Sequence, residues 1–278
     1  MHNMKLSPPD IVRMKGNEKI TMLTAYDAAF GRMLESAGVD VLLVGDSLGM
    51  VVLGYESTVP VTMDEMIHHA SAVRRGAPNT LLVGDMPFLS YQVSHADAIV
   101  NAGRFFKEAG CDAVKLEGGL EVCGVTAALV DAGMPVIGHI GLTPQTAGKL
   151  GGLKVQGKDA ESARRLLAEA KELEEAGAFC LVLECIPDGV SKYITESISI
   201  PTIGIGGGVH CDGQVLVTHD LLGMFEKFIP SFVKQYTTLA PDIKNAVADF
   251  SKDVKDGLYP DDAHSFSMKL DPQEIFKE

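Results

Sequence analysis

Eight short apolar runs, most of them followed by a helix-patterned stretch, constrain what this chain can fold into more than any other feature. They are ITMLTAY (20–26), VLLVGD (41–46), TLLVGDMP (80–87), AVKLEGG (113–119), PVIGHIG (135–141), FCLVLECIP (179–187), PTIGIGGG (201–208) and VLVTHD (215–220). A strand with water on one face alternates apolar and polar residues. A run without that alternation reads as a strand buried on both faces, as in a parallel sheet. The stretches AAFGRMLESAG (28–38), MDEMIHHASAVRRG (63–76), SHADAIVNAGRFFKEAG (94–110) and KDAESARRLLAEAKELEEAG (158–177) carry helical spacing and close on Gly38, Gly76, Gly110 and Gly177. Glycine just past the last turn stops a helix because it enters the left-handed region without a Cβ clash. Eight strands with interleaved helices predict an α/β fold, a (β/α)8 barrel. The alternative is an open doubly wound sheet, but no G-x-G-x-x-G follows the first run; the glycine-rich GIGGG (204–208) follows the seventh.

The length of 278 residues suits one such barrel, and 46% hydrophobic content argues against disorder. With no linker or low-complexity stretch, residues 1–278 read as a single barrel domain. The segment from about 224 to 278 is expected to form peripheral C-terminal helices and a polar tail. A net charge of −13, with basic residues scattered, speaks against a nucleic-acid partner, since phosphate neutralisation needs clustered Lys and Arg. The five cysteines (Cys111, Cys123, Cys180, Cys185 and Cys211) form no C-x-x-C pair, which argues against a disulfide framework and a thiolate zinc site. No apolar signal core opens the chain, and no run reaches the roughly 18 residues that span a bilayer. A cytoplasmic protein without membrane contact is expected.

Polar residues recur at the C-terminal ends of the apolar runs. Asp46 and Ser47 end the second, Asp85 the third, and Lys115 and Glu117 the fourth; His139 lies on the fifth and Glu184 ends the sixth. In a barrel these ends meet at one rim, the face where active sites form. Each residue has a plain structural reading. Asp46 could cap the next helix and Asp85 could sit in a turn. Lys115 and Glu117 could be an ion pair, and His139 a core histidine. Glu184 lies between apolar neighbours and needs a partner, a metal or a raised pKa; pairing with Lys115 is its structural reading. What these separate readings leave unexplained is the coincidence at one rim.

As a set, the residues suit metal-assisted chemistry on a 2-oxo acid. Asp46, Asp85 and Glu117 are hard oxygen donors, fitting Mg²⁺ and equally Mn²⁺ or Co²⁺. A 2-oxo acid could complete the coordination, so that the metal stabilises the enolate formed by removing the C3 proton. Lys115 would neutralise the substrate carboxylate, Ser47 would donate a hydrogen bond, and Glu184 would move the proton.

The segments TAYD (24–27), VGDSLGMVVLGYESTVPVT (44–62), VRRGAP (73–78), VKLEGG (114–119), GHIGLTPQ (138–145), KVQG (154–157), LVLECIP (181–187), PTIGIGGG (201–208) and DGQ (212–214) closely resemble the ketopantoate hydroxymethyltransferase family. GDSLGM and GHIGLTPQ in this order are its most specific signals. The resemblance implies a (β/α)8 TIM barrel of the phosphoenolpyruvate/pyruvate-binding type. It implies transfer of a hydroxymethyl group from 5,10-methylenetetrahydrofolate to 3-methyl-2-oxobutanoate, giving 2-dehydropantoate in pantothenate and coenzyme A biosynthesis. It implies metal ligands at Asp46, Asp85 and Glu117, the last directly or through a water. It further implies substrate contacts at Asp46, Ser47, Asp85 and Lys115, with His139 in support, and Glu184 as the catalytic proton acceptor. A homo-oligomer, a decamer of two five-membered rings, is the assembly it implies. Leu153 and Gly207 depart from the pattern, at positions where the family often has an aromatic residue and alanine. Two alternatives stand beside this reading: a metal-dependent 2-oxo acid lyase or aldolase on the same barrel, and a catalytically dead barrel kept as a scaffold.

Overall fold

The computed structural model describes residues 5–149 and 151–276. Eight strands form it: β1 (Ile20–Thr24), β2 (Val41–Val44), β3 (Leu81–Asp85), β4 (Ala113–Glu117), β5 (Val136–Gly141), β6 (Cys180–Glu184), β7 (Thr202–Ile205) and β8 (Gly213–Leu216). Each pairs in parallel with the next, and β8 returns to β1, closing the barrel. The helices are α1 (Pro8–Met14), α2 (Ala28–Ser36), α3 (Leu48–Val51), α4 (Met63–Gly76), α5 (His95–Lys107), α6 (Cys123–Asp131), α7 (Ala160–Glu175), α8 (Asp188–Ser197), α9 (Thr218–Leu221), α10 (Leu239–Lys255) and α11 (Pro272–Ile275). The barrel expected from the eight apolar runs is the fold observed.

The unbroken apolar runs have their explanation in two cores. Alternate residues of the strands point inward or outward. Val41, Leu43, Leu81, Val83, Ile137, Val182 and Ile203 fill the barrel interior, and Ile11 of α1 packs against the same cluster. Leu42, Val44, Leu82, Val114, Leu116, Leu181 and Leu183 face outward and pack with helix residues such as Met66, Phe105, Leu129 and Leu173. Every residue of β2, β3 and β4 is buried. Further toward the C-terminal ends, the inward positions of β3 to β6 change from aliphatic to polar: Asp85, Lys115, Glu117, His139 and Glu184.

Three local expectations need correction. Gly76 does not stop α4 in the left-handed region, as Gly38, Gly110 and Gly177 do for their helices (φ +81°, +67° and +92°). It is the last residue of α4, and a Cβ there would lie 2.1 Å from the Ala28 carbonyl oxygen, so glycine lets α2 and α4 touch. The eighth strand starts two residues earlier than its apolar run, and Thr218–Asp220 of that run belong to α9. Finally, helices do not begin at about 224. Residues 225–238 contain none, and α10 starts at Leu239. Phe225, Phe228 and Phe232 have helical spacing, but Pro230 lacks an N–H and biases Ile229 away from the helical region. Phe225 and Phe232 are half-buried at the barrel mouth instead, with the Phe232 ring over Gly206, while Phe228 lines the mouth and stays exposed.

Candidate active site

The polar residues at the strand ends line one cavity of about 400 Å³ at the C-terminal mouth. Strand register accounts for their proximity. Asp85 pairs with Lys115, Glu117 with His139, and Gly141 with Glu184. Inward-facing residues on adjacent strands are therefore brought side by side. Gly141 is needed where β5 passes β6: its φ is +97°, and a Cβ would lie 2.2 Å from the Glu184 carbonyl oxygen. Immediately after Glu184 the chain turns through Cys185, a non-glycine residue at φ +48°. Hydrogen bonds from the Cys185 N–H to the Ile205 carbonyl and from the Gln156 N–H to the Cys185 carbonyl, both 2.9 Å, hold this conformation.

Lys115 is 3% exposed, and its Nζ lies 2.8 Å from Asp85 Oδ1, 3.8 Å from Glu117 Oε1 and 3.2 Å from His139 Nδ1. Burial opposes its charge, but Asp85, Glu117 and Asp46 outweigh that and hold its pKa above the ordinary value. An ammonium only donates, so the imidazole meets it with an acceptor Nδ1 and carries its proton on Nε2. Burial and the Lys115 charge push the His139 pKa well down, consistent with a neutral ring. His139 Nε2 faces Glu184 Oε2 at 3.2 Å. Glu184 thus has His139, and not Lys115, as its close partner, and the structural reading of a Glu184–Lys115 ion pair does not describe this site. Burial, only partly offset by Lys115, raises the Glu184 carboxyl to about 8.

Asp46 lies just beyond β2, where its backbone N–H donates to Asp85 Oδ2 at 3.2 Å. Its pKa is raised to about 7, first by burial and then by the Asp85 charge. Ser47 Oγ lies 2.9 Å from the Tyr26 hydroxyl at the cavity wall. Two further residues complete the site, and sequence reasoning had not singled them out. Gln145 Nε2 donates to Asp46 Oδ2 and to the Met86 carbonyl, both at 2.9 Å, while its backbone N–H donates to Glu117 Oε2 at 3.1 Å. The Tyr91 hydroxyl donates to Gln145 Oε1 at 2.8 Å and accepts from the Glu117 N–H at 3.1 Å. The signal for Gln145 was its position closing GHIGLTPQ; Tyr91 stands in no such motif.

Four carboxylates, Asp46, Asp85, Glu117 and Glu184, share this buried site with one ammonium and a neutral imidazole. Burial raises the pKa of Asp46, Glu117 and Glu184, so protons are drawn to the excess negative charge. A divalent cation would compensate it better, and the all-oxygen donor set fits a hard ion. Among the described residues, however, no group of three or more His, Cys, Asp or Glu is arranged as a ready coordination shell. Glu117 in particular is already engaged by Gln145, Lys115 and His139. No helix among those residues is long and apolar enough to cross a membrane.

The ketopantoate hydroxymethyltransferase family profile matches residues 5–262. The 3-methyl-2-oxobutanoate hydroxymethyltransferase of Desulfotalea psychrophila is 59% identical over 269 residues, covering 96% of each chain. Among solved structures, 2,3-dimethylmalate lyase, a member of the PEP mutase/isocitrate lyase superfamily, superposes with a TM-score of 0.59 at 15% identity, over 99% of this chain and 94% of that one. Phosphonopyruvate hydrolase in complex with oxalate and Mg²⁺ gives 0.61 at 14% identity, over 95% and 93%. At such identities the structural likeness speaks for the barrel alone.

Proposed function

Because this chain belongs to the ketopantoate hydroxymethyltransferase family, we propose that it transfers a hydroxymethyl group from 5,10-methylenetetrahydrofolate to 3-methyl-2-oxobutanoate, giving 2-dehydropantoate for pantothenate and coenzyme A synthesis. The observation that carries the chemistry is the division of the buried rim. Two hard oxygen donors, Asp46 and Asp85, adjoin each other and Lys115, and a raised-pKa carboxyl, Glu184, adjoins His139. Asp46 and Asp85 would hold the divalent ion. Glu117 would reach it through a water, since its oxygens already face Gln145, Lys115 and His139. When bound, the ion draws electron density from the keto group and makes the C3 proton more acidic.

Lys115 pairs with the substrate carboxylate, and the Ser47 hydroxyl, positioned by Tyr26, donates to it. Glu184 accepts the C3 proton; burial that raises its pKa also strengthens it as a base. His139 Nε2, 3.2 Å from Glu184 Oε2 without a formed hydrogen bond, limits where that carboxylate can sit. C3 then bonds to the methylene carbon of the donor as both of its bonds to folate nitrogens break; a water supplies the hydroxyl group to that carbon and a proton to one nitrogen, and Glu184 returns the C3 proton to the other. The same reading carries a homo-oligomeric assembly, a decamer in the family pattern, for which the exposed apolar residues of α10 are the supporting observation.

The test is deuterium incorporation at C3 beside product formation. Exchange should require 3-methyl-2-oxobutanoate, the protein and Mg²⁺, and 2-dehydropantoate should appear only when the folate is added. Cleavage of a 2-hydroxy acid without folate, and no product with it, would establish the lyase reading instead.

A further inference from the structure

The cavity has a second acidic pole that proton transfer at Glu184 leaves unused. Asp220 lies on α9, four residues past the end of β8, and lines the same cavity. It is 8% exposed, and its Oδ1 is buried without a hydrogen-bond partner. Among the described residues, no Lys, Arg or His lies within ion-pair distance of it. Burial alone raises its pKa, to about 6, whereas Asp46 and Glu184 both feel the charge of Lys115. Asp220 therefore stands apart from the Lys115 cluster and remains largely ionised at neutral pH. An ionised carboxylate buried without a donor is costly, and the cost is removed by a ligand that brings N–H groups.

The surroundings narrow the ligand. Met50 and Val51 of α3 and Phe225, Phe228 and Phe232 of the mouth-covering segment line the same cavity. Aromatic and aliphatic walls in the cavity that Asp220 lines suit a flat heteroaromatic ring with two N–H donors on one edge. Such an edge meets both carboxylate oxygens at once, as a guanidinium does.

We propose that Asp220 anchors the pterin end of the one-carbon donor, accepting from N3–H and the 2-amino group while Phe225, Phe228 and Phe232 cover the ring faces. The proposal rests on the folate reading of the preceding subsection. It makes Asp220 a residue that selects the donor, separate from the group that moves the C3 proton.

Calorimetric titration of tetrahydrofolate into the protein holding Mg²⁺ and 3-methyl-2-oxobutanoate tests it. Asp220→Asn and Asp220→Ala should each weaken tetrahydrofolate binding at least about tenfold, because neither can accept from both N–H groups. The 2-desamino analogue should bind the native protein about tenfold more weakly than tetrahydrofolate, and Asp220→Asn should bind the two alike within about twofold. Affinity for 3-methyl-2-oxobutanoate should stay within about twofold of native in both variants. Native tetrahydrofolate affinity in Asp220→Asn would overturn the proposal and leave the folate reading standing. Failure of the native protein to bind tetrahydrofolate would overturn the folate reading itself. A marked fall in Tm in both variants would give Asp220 a structural role and likewise overturn the proposal, since an unpartnered carboxylate should be removable without loss of stability.

Discussion

Glu184 and Gln145 show how much of this site depends on single side chains. Glu184→Gln is nearly isosteric and keeps the contact with His139, but it removes the base. C3 deuterium exchange should fall by at least about 100-fold, the lower end for general-base catalysis, with 3-methyl-2-oxobutanoate affinity within about threefold of native. Exchange near the native rate would transfer the role to His139, the other proton-handling group at 3.2 Å. The pH dependence follows from the direction of the shift. The folded carboxyl, at about 8, lies above the ordinary 4.5, so the fold favours the protonated form. Its contribution to stability is complete below about 4.5 and is lost as pH rises through about 8. The metal-free protein should therefore lose Tm between about pH 4.5 and 8, and Glu184→Gln should lose less over that window; identical slopes would mean that the fold does not favour the protonated carboxyl. Gln145→Leu should weaken divalent-ion binding about tenfold by calorimetry, because Asp46 loses the side-chain amide donor that positions it, while the backbone N–H to Glu117 is kept.

At the scale of elements, the site is placed by two close approaches in which glycine leaves no room for a side chain. At Gly84 of β3, a Cβ would fall 2.2 Å from the Phe105 ring, so α5 lies directly on the strand that carries Asp85. At Gly141, both the positive φ and the Glu184 carbonyl exclude a Cβ. Gly141→Ala should cost about 1–3 kcal/mol by denaturant unfolding and depress C3 exchange, since β6 must shift where it carries Glu184. Gly84→Ala should cost a similar amount, recovered in part by Phe105→Leu, which shortens the opposing side chain. A neutral effect of Gly141→Ala on both stability and exchange would show that β6 tolerates displacement there.

For the whole molecule, the outer surface carries the strongest expectation. On α10, Ile243, Val247, Phe250 and Val254 are 47%, 58%, 56% and 46% exposed at helical spacing, and Ala240 is the helix's one buried residue. A single-stripe apolar face left this exposed, with Phe250 meeting only the edge-packed Tyr259 ring among the aromatics of the described residues, is a surface for association. Light scattering after gel filtration should give a mass several times the 29.6 kDa of one chain. Val247→Glu with Phe250→Glu should reduce that mass. A native monomer at micromolar concentration would remove the oligomeric reading.

Sequence alone determined the barrel, because parallel strands buried on both faces, as β2 to β4 are throughout, need unbroken apolar runs, and such runs are local. It also determined which residues reach the rim, because strand alternation carries Asp85, Lys115, Glu117, His139 and Glu184 inward once the strands are located. Only the tertiary structure decided the partners. Lys115 faces Asp85 and His139 through the register of β3, β4 and β5, and no spacing within one strand reveals that register. Gln145 and Tyr91 enter the site from loops whose paths are set by hydrogen bonds far along the chain. Residues 225–233 lie in a stretch expected to be helical, but Pro230 interrupts it, and Phe225 and Phe232 line the barrel mouth instead. Local pattern specifies which face a residue shows; which neighbour it meets depends on how separate elements close on one another.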